Sequence, residues 1–496
     1  MQGRIWKTAA CLAVAASFIA GTDSALGQGR WMPANDVSYP VDDAYVPVAS
    51  AGARRADESA DLAERVAELE AALKKINDQE AAAKKKATGH PSVSVGGRIQ
   101  YDAAFFHQSD GSRAVFGDEQ DGVEFRRARI HVLGEAFDVV DYKIEMDFAD
   151  TDEANQGSRI NELIQSTAFK DVYITVKELP LLGHVRVGHF KEPFGLEQLT
   201  SSRYPTFIER SINDEGNFVP GRRPGLMAFD DYLNARGTWA VGMFRTETDN
   251  GAEPPIARDD DGGWALTTRG TFLPWYDEGS GGRGLLHVGG AYSFRDLDDG
   301  TIRFRARPEA HLAHYIVDTA NIADAVDYHL FGLETALVYG PLSVQGEYFH
   351  TLVNRTAGLD NLDFRGGYVY VSYFLTGEHR PYKKSAGVFD RVRPFENFFR
   401  VRTCDGDCAT GKGAWEVAYR YSYLDLNDVD VLGGRAGLHT FGVNWYLNPY
   451  TRVMWNYVAA DFTTSNETAS AVNGFPFVGG ANTDMGIFEM RAQIDF

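Results

Sequence analysis

From Ser92 to its end the chain keeps returning to a two-residue rhythm of apolar and polar side chains, and the last eleven residues show it most plainly. Between Gly486 and Phe496, Phe488, Met490, Ala492, Ile494 and Phe496 fall on one face, and Glu489, Arg491, Gln493 and Asp495 on the other. Period two marks a β-strand with one apolar and one polar face. A final strand of this kind, ending on an aromatic residue, suits the closing strand of an outer-membrane barrel, whose outside meets lipid and whose inside meets water.

The same pattern recurs upstream. Val93, Val95, Ile99, Tyr101, Ala103 and Phe105 oppose Ser94, Arg98, Gln100 and Asp102, while Val140, Tyr142, Ile144, Met146 and Phe148 oppose Asp141, Lys143, Glu145 and Asp147. Similar segments at 122–136, 166–178, 183–190, 224–231, 236–246, 263–273, 284–295, 327–338, 342–352, 366–377, 413–425, 436–448 and 451–463 bring the count to sixteen. A seventeenth segment, 301–311, is set aside because a single-chain bacterial barrel has an even strand number. Tyr339-Gly340-Pro341-Leu342 and Tyr446-Leu447-Asn448-Pro449 read as periplasmic turns, which puts 301–311 in an extracellular loop and 378–412 in a periplasmic insertion. The expected fold is all-β: a 16-stranded antiparallel transmembrane β-barrel over 87–496 with inward-folded loops, preceded by a short N-terminal coiled-coil helix.

That helix is read from a different period. Leu62, Val66, Leu69, Leu73 and Ile76 are spaced four, three, four, three, with Glu64, Arg65, Glu68, Glu70, Lys74 and Lys75 around the seam. Two heptads are marginal alone, so 58–86 either joins chains already held together or lies as an amphipathic helix on its own barrel. Residues 28–57, rich in Ala, Pro, Gly and Asp without periodicity, read as a disordered tether. Arg4 and Lys7 before the apolar stretch from Thr8 to Ala20, then Ala25-Leu26-Gly27, read as a signal peptide over 1–27. Of the three cysteines, Cys404 and Cys408 remain after cleavage, as a local disulfide or two idle thiols in preference to a metal pair, since no histidine stands nearby.

Composition first argues against a membrane protein: mean hydropathy is −0.30, and 49 Lys+Arg against 69 Asp+Glu give a formal charge of −20. No later run of eighteen apolar residues exists either, which excludes helical spans but not a barrel, where only alternate residues face lipid. The 31 Phe, 23 Tyr and 51 Gly agree with many strands. Neither nucleic acid nor any cofactor is an expected partner.

Candidate chemistry lies in cations on the water-facing side, since a pore selects anions with Arg or Lys along its lumen and with loops folded in to narrow it. Arg127, Arg129 and His131 share the face opposite Ala128, Ile130 and Val132, and Lys143 and Arg186 take comparable positions on neighbouring strands. Each taken singly can equally serve to neutralise a wall carboxylate such as Asp141, Glu145 or Asp147. The insertion 191–223 adds Lys191, Arg203, Arg210, Arg222 and Arg223, and the loop segment 301–311 adds Arg303, Arg305 and Arg307. Glu192, Glu197, Glu209, Asp214 and Glu215 offset the charge of the first insertion. Guanidinium forks match the oxygens of phosphate-type anions.

The chain resembles the phosphate-selective porin O and P family of Gram-negative outer membranes. The residues that carry the resemblance are F-R-R-A-R-I at 125–130, V-R-V-G-H-F-K-E-P-F-G-L-E-Q-L-T-S-S-R at 185–203, F-I-E-R-S at 207–211, R-F-R-A-R-P-E at 303–309, G-A-W-E-V-A-Y-R-Y-S at 413–422 and N-W-Y-L-N-P at 444–449. It implies a homotrimeric porin for inorganic anions such as phosphate, set in outer-membrane lipid, with 58–86 as its coiled coil. Arg303, Arg305 and Arg307 then resemble ladder residues, and Lys191, Arg203 and Arg210 belong to the constricting loop.

Two other classes compete. A barrel lipase or protease needs a displayed nucleophile and base, but no G-x-S-x-G occurs and His131, His189, His287, His311, His314 and His439 show no partner spacing. A plugged barrel serving as an anchor predicts no conductance. The Asp-rich stretches 259–261 and 296–299 lack the ligand spacing of a calcium loop.

Overall fold

The computed structural model describes residues 91–149, 168–214, 218–246, 263–298, 300–402, 408–463 and 482–496. The expected signal peptide, tether and heptad helix lie outside these residues, as does Cys404 and with it the question of a bridge to Cys408.

Alternation becomes a closed antiparallel barrel. Its strands are Ser94–Gln108 (β1), Gly122–Ala136 (β2), Val140–Asp147 (β3), Ala168–Leu179 (β4), Gly183–Lys191 (β5), Arg222–Tyr232 (β6), Gly237–Arg245 (β7) and Trp264–Tyr276 (β8). Gly284–Asp296 (β9), Ala325–Tyr339 (β10), Leu342–Arg355 (β11), Leu362–Phe374 (β12), Ala414–Asp428 (β13), Val431–Asn448 (β14), Thr451–Thr463 (β15) and Asn482–Asp495 (β16) complete it. Each strand pairs with the next, and β16 returns to β1. These sixteen coincide with the segments expected from alternation. Residues 301–311 add no strand to the barrel; Arg305–Ala306 pair with Val317–Asp318 in a small hairpin instead.

The last residue finishes the seam. β1 and β16 run in register from Arg98 opposite Asp495 to Gln108 opposite Met485. Gly97 N–H donates to the Phe496 carbonyl at 2.8 Å, and Phe496 N–H donates back to Gly97 at 3.1 Å. Closure leaves no free sheet edge.

Burial is inverted relative to a water-soluble protein. On β16, Phe488 and Phe496 are 40% and 61% exposed, whereas Glu489, Arg491, Gln493 and Asp495 are at most 4% exposed. An arginine turned outward at the bilayer midplane would cost about 2–4 kcal/mol, so lipid fixes the phase of the strand. Trp415 stacks on Trp445 and Trp455 with centroids 5.1 and 6.4 Å apart, outside the barrel near the end that holds the first and last strand termini. Such aromatic girdles sit at membrane interfaces.

Segments 192–221 and 297–324 leave the far end of the barrel and 375–413 the near end, and described residues of each turn inward, those of the last segment around Arg380, Tyr382 and Phe389. Inner-wall side chains take up the first segment's carbonyls: Gln100 donates to Ser202 O at 2.8 Å, Asn444 to Thr206 O at 2.7 Å and Arg452 to Pro205 O at 2.7 Å. Folding a loop into a barrel strands its backbone polar groups, and these donors satisfy them. Phe194, Phe207, Phe218 and Phe304 of the loops pack on Leu330, Phe349, Phe364, Leu424 and Val458 of the wall. An apolar core thus fills the barrel along β10–β16. Gly366 on β12 admits this packing, because a Cβ there would lie 1.9 Å from the Asn213 amide oxygen. From the other end, Tyr382 contacts His287 at 2.6 Å and Arg269 donates to Gly387 O at 2.9 Å.

Candidate functional site

Arg127, Arg129 and His131 point inward by alternation, and a bulge in β2 adds Arg126 to them. Gln100 faces Arg127 while Tyr101 faces Phe125, so Arg126 is an extra residue in the ladder. The bulge turns Arg126 inward beside Arg127, where one loop carboxylate, Glu209, meets them at 2.9 and 3.7 Å and Arg491 of β16 at 2.7 Å. Burial would raise the Glu209 carboxyl, but Arg126, Arg127 and Arg491 hold it well below the usual carboxylate range.

Below the bulge the wall charges join in a chain. Arg129 binds Asp147 at 2.5 Å and Glu145 at 3.2 Å, and Glu145 also holds Arg98 at 3.0 Å and Lys143 at 2.7 Å. Lys143 and Arg222 then share Asp171, each at 2.6 Å. Four cations therefore stand on three carboxylates among the described residues. His131, on the same face of β2, meets Arg203 of the loop at 3.2 Å.

Loop 192–221 gathers further cations. Lys191 donates to the carbonyls of Gln198 and Thr200, and Arg210 donates to these same two and to Glu197 O at 2.9 Å. Arg210 also pairs with Asp214 at 3.2 Å. Burial outweighs that pairing and pushes the Asp214 carboxyl up to about 7. Arg223 reaches the Arg222 carbonyl at 2.8 Å.

Arg303, Arg305 and Arg307 form a separate group in segment 297–324. Phe304 and Ala306 between them are buried in the apolar core, which turns Arg303 and Arg305 the other way. Arg303 pairs with Asp318 at 2.8 Å, and the guanidiniums of Arg305 and Arg307 each lie 4.1 Å from the centre of the Tyr315 ring. Arg307 is only 2% exposed and donates to Ala313 O at 3.1 Å. The segment is anchored by Glu309, which accepts from Arg420 at 3.2 Å and from Ser422 and Thr440 at 2.5 Å each.

Arg186 stands apart from these clusters. It lines a cavity of about 270 Å³ against β4–β8, to which Pro193 and Leu199 of the far-end loop and Ser385 and Ala386 of the near-end insertion also contribute. Its guanidinium lies 3.9 Å from the Tyr173 ring centre, and its Nε donates to Thr175 at 2.9 Å.

Several charged residues of this interior were missed by motif and loop reasoning: Arg98, Arg126, Arg269, Arg295, Arg420, Arg452 and Arg491. Strand phase alone assigns Arg98 and Arg491 to the inner face. Nothing in the alternation marks Arg126, since the bulge that turns it inward breaks the rhythm.

A closed sixteen-stranded barrel with an apolar outside and a charged, loop-narrowed inside defines an outer-membrane porin. The chain belongs to the phosphate-selective porin O and P family, whose model matches residues 93–496. Porin O of Pseudomonas aeruginosa is 29% identical over 420 residues, covering 77% of this chain and 86% of that protein. An uncharacterized protein of Caulobacter vibrioides is 29% identical over 387 residues, covering 76% and 70%. Among solved structures, OmpT of Vibrio cholerae in its trimer form aligns at TM-score 0.48 with 12% identity, over 82% of this chain and 99% of that one. The outer membrane channel DcaP of Acinetobacter baumannii aligns at 0.47 with 13% identity, over 82% and 97%. The protein is accordingly placed in the outer membrane of a Gram-negative bacterium, in a family of channels.

Proposed function

We propose that this porin conducts small inorganic oxyanions, phosphate among them, along the cation-bearing sector of β1–β8 and the loop that faces it. The observation that carries the reading is the set Arg186, Lys191, Arg203 and Arg223, which lie inside the barrel with no carboxylate partner among the described residues. The buried Nε atoms of Arg203 and Arg223 also lack a hydrogen-bond partner there. A desolvated cation without an internal counter-charge favours an anion from solution.

The surrounding acids keep this from becoming a trap. One unit-charge contact at 4 Å is worth about 4 kcal/mol at an effective dielectric near 20, so several converging on one phosphate would hold it too long. Glu145, Asp147, Asp171 and Glu209 each neutralise part of the wall, and the cations are spread over strands and loops. An ion can then exchange partners stepwise. Arg127, Arg129, His131, Lys143, Arg210 and Arg222, and Arg303, Arg305 and Arg307 at the far-end segment, belong to the same proposed path.

The proposed assembly is a homotrimer, with the heptad seam of 58–86 adding contacts between chains; cross-linking in detergent tests it, and a monomer only would reject it. The test of conduction is the reversal potential in a planar bilayer under a salt gradient, repeated with added phosphate. Anion preference with phosphate block is expected. Cation selectivity, or no conductance, overturns the proposal, the latter in favour of a plugged anchor.

A further inference from the structure

We propose that the cavity against β4–β8, which borders the wall chain at Asp171, is a binding site for an organic oxyanion carrying a single aromatic ring, an aryl carboxylate or aryl sulfonate. The inference rests on the anion-porin reading and specifies a substrate class for it. Its origin is a departure from the expected lumen chemistry. Inner barrel faces are polar, yet here Tyr173, Phe190, Met227 and Phe229 form an apolar patch backed by Phe244 and Ala265.

The cations of this patch are prepared for a head group. Arg186 lies against three rings, 3.9 Å from the Tyr173 centre, 4.9 Å from Phe229 and 5.5 Å from Phe190. Those faces and the Thr175 hydroxyl fix its plane while supplying no counter-charge. Lys191, also in the lining, is held by backbone carbonyls alone. The other charged groups of the lining have partners of their own: Asp171 in Lys143 and Arg222, Arg269 in Glu334 at 2.6 Å, and the half-exposed Asp230 in the Asp231 N–H at 2.8 Å.

A strongly hydrated inorganic ion gains nothing from ring faces and sheds water to sit among them. A ring-bearing anion buries its ring on Phe229 and Tyr173 while its oxygens take charge-assisted hydrogen bonds from Arg186. The volume, about 270 Å³, falls just under the roughly 300–1,000 Å³ of pockets for drug-sized ligands, which fits one ring.

The test uses the full chain in planar bilayers, with benzoate or acetate added to symmetric chloride, since the two share a head group and differ by the ring. Benzoate is expected to half-block the current at a concentration at least tenfold below acetate, and benzenesulfonate to show the same advantage over methanesulfonate. Phe229→Ala and Arg186→Gln should each bring the benzoate-to-acetate ratio within about twofold of unity. Equal block in the unmodified protein overturns the site. So does a tenfold advantage that survives both substitutions, because ring binding then lies elsewhere. Failure of the underlying porin reading shows separately, as cation selectivity or no current in chloride before any organic anion is added.

Discussion

Glu209 and Arg491 meet at 2.7 Å across 282 positions of sequence, joining the inward loop to the strand that closes the barrel. Arg491 also grips Asp102 of β1 at 2.6 Å. One guanidinium therefore ties together the first strand, the last strand and the constriction.

Removing that guanidinium should be costly. Arg491→Met leaves Asp102 without its arginine and Glu209 with two of its three, inside a closed wall. Breaking a buried pair from one side costs about 3–5 kcal/mol. The urea midpoint of the barrel in detergent, followed by heat-modifiable gel mobility, should fall accordingly, and an unchanged midpoint contradicts the tie.

Asp214 predicts a pH dependence of selectivity. With its carboxyl pushed up to about 7 by burial, against the pull of Arg210, it is neutral below that pH and ionised above it. Anion preference should decline as pH rises from 6 to 8, and Asp214→Asn should remove that step from the reversal potential. The stability linkage has a matching sign. A carboxyl whose folded pKa exceeds its unfolded value near about 4 stabilises the fold most below that value, and the contribution is lost as pH rises toward 7.

Cations without carboxylate partners should set the sign of selectivity. A unit charge about 8 Å from a passing ion contributes about 0.5 kcal/mol in a water-like dielectric. Because the cation is repelled as much as the anion is attracted, each of Lys191→Gln and Arg203→Gln is expected to lower the anion-to-cation permeability ratio by about 1 kcal/mol, about fivefold, and the double variant about twenty-five-fold. A reversal potential that does not move removes both residues from the path. Replacing Arg303, Arg305 and Arg307 together by Glu should abolish anion preference, by the same measurement.

Glu309 should govern how firmly segment 297–324 is held. Its carboxylate accepts from Arg420, Ser422 and Thr440 on two neighbouring strands. Glu309→Gln keeps the shape but halves the acids on Arg420, leaving Glu197 at 3.4 Å. Larger open-channel current noise and a stability loss of roughly 3–5 kcal/mol are expected; unchanged noise shows the segment is held by its apolar packing instead.

Strand number, strand phase and the two ends of the barrel were legible in the chain, because lipid outside and water inside impose opposite chemistry on alternate residues. That contrast repeats locally every two positions and needs no tertiary information. It placed Arg127, Arg129, His131 and Lys143 on the inner face, and even strand parity kept 301–311 out of the wall. What the alternation could not supply was pairing between distant residues. The bulge that turns Arg126 inward, the hold of Arg491 on Glu209 and the aromatic bed of Arg186 all depend on registers set elsewhere in the barrel. Which loops enter, and that they fill β10–β16 with an apolar core while a cavity stays against β4–β8, depends on side chains more than a hundred residues apart finding complementary surfaces. The sequence by itself determined which residues of the regular strands face inward; only the closed tertiary structure added the bulged Arg126 to them and decided which of these cations meet a carboxylate and which do not.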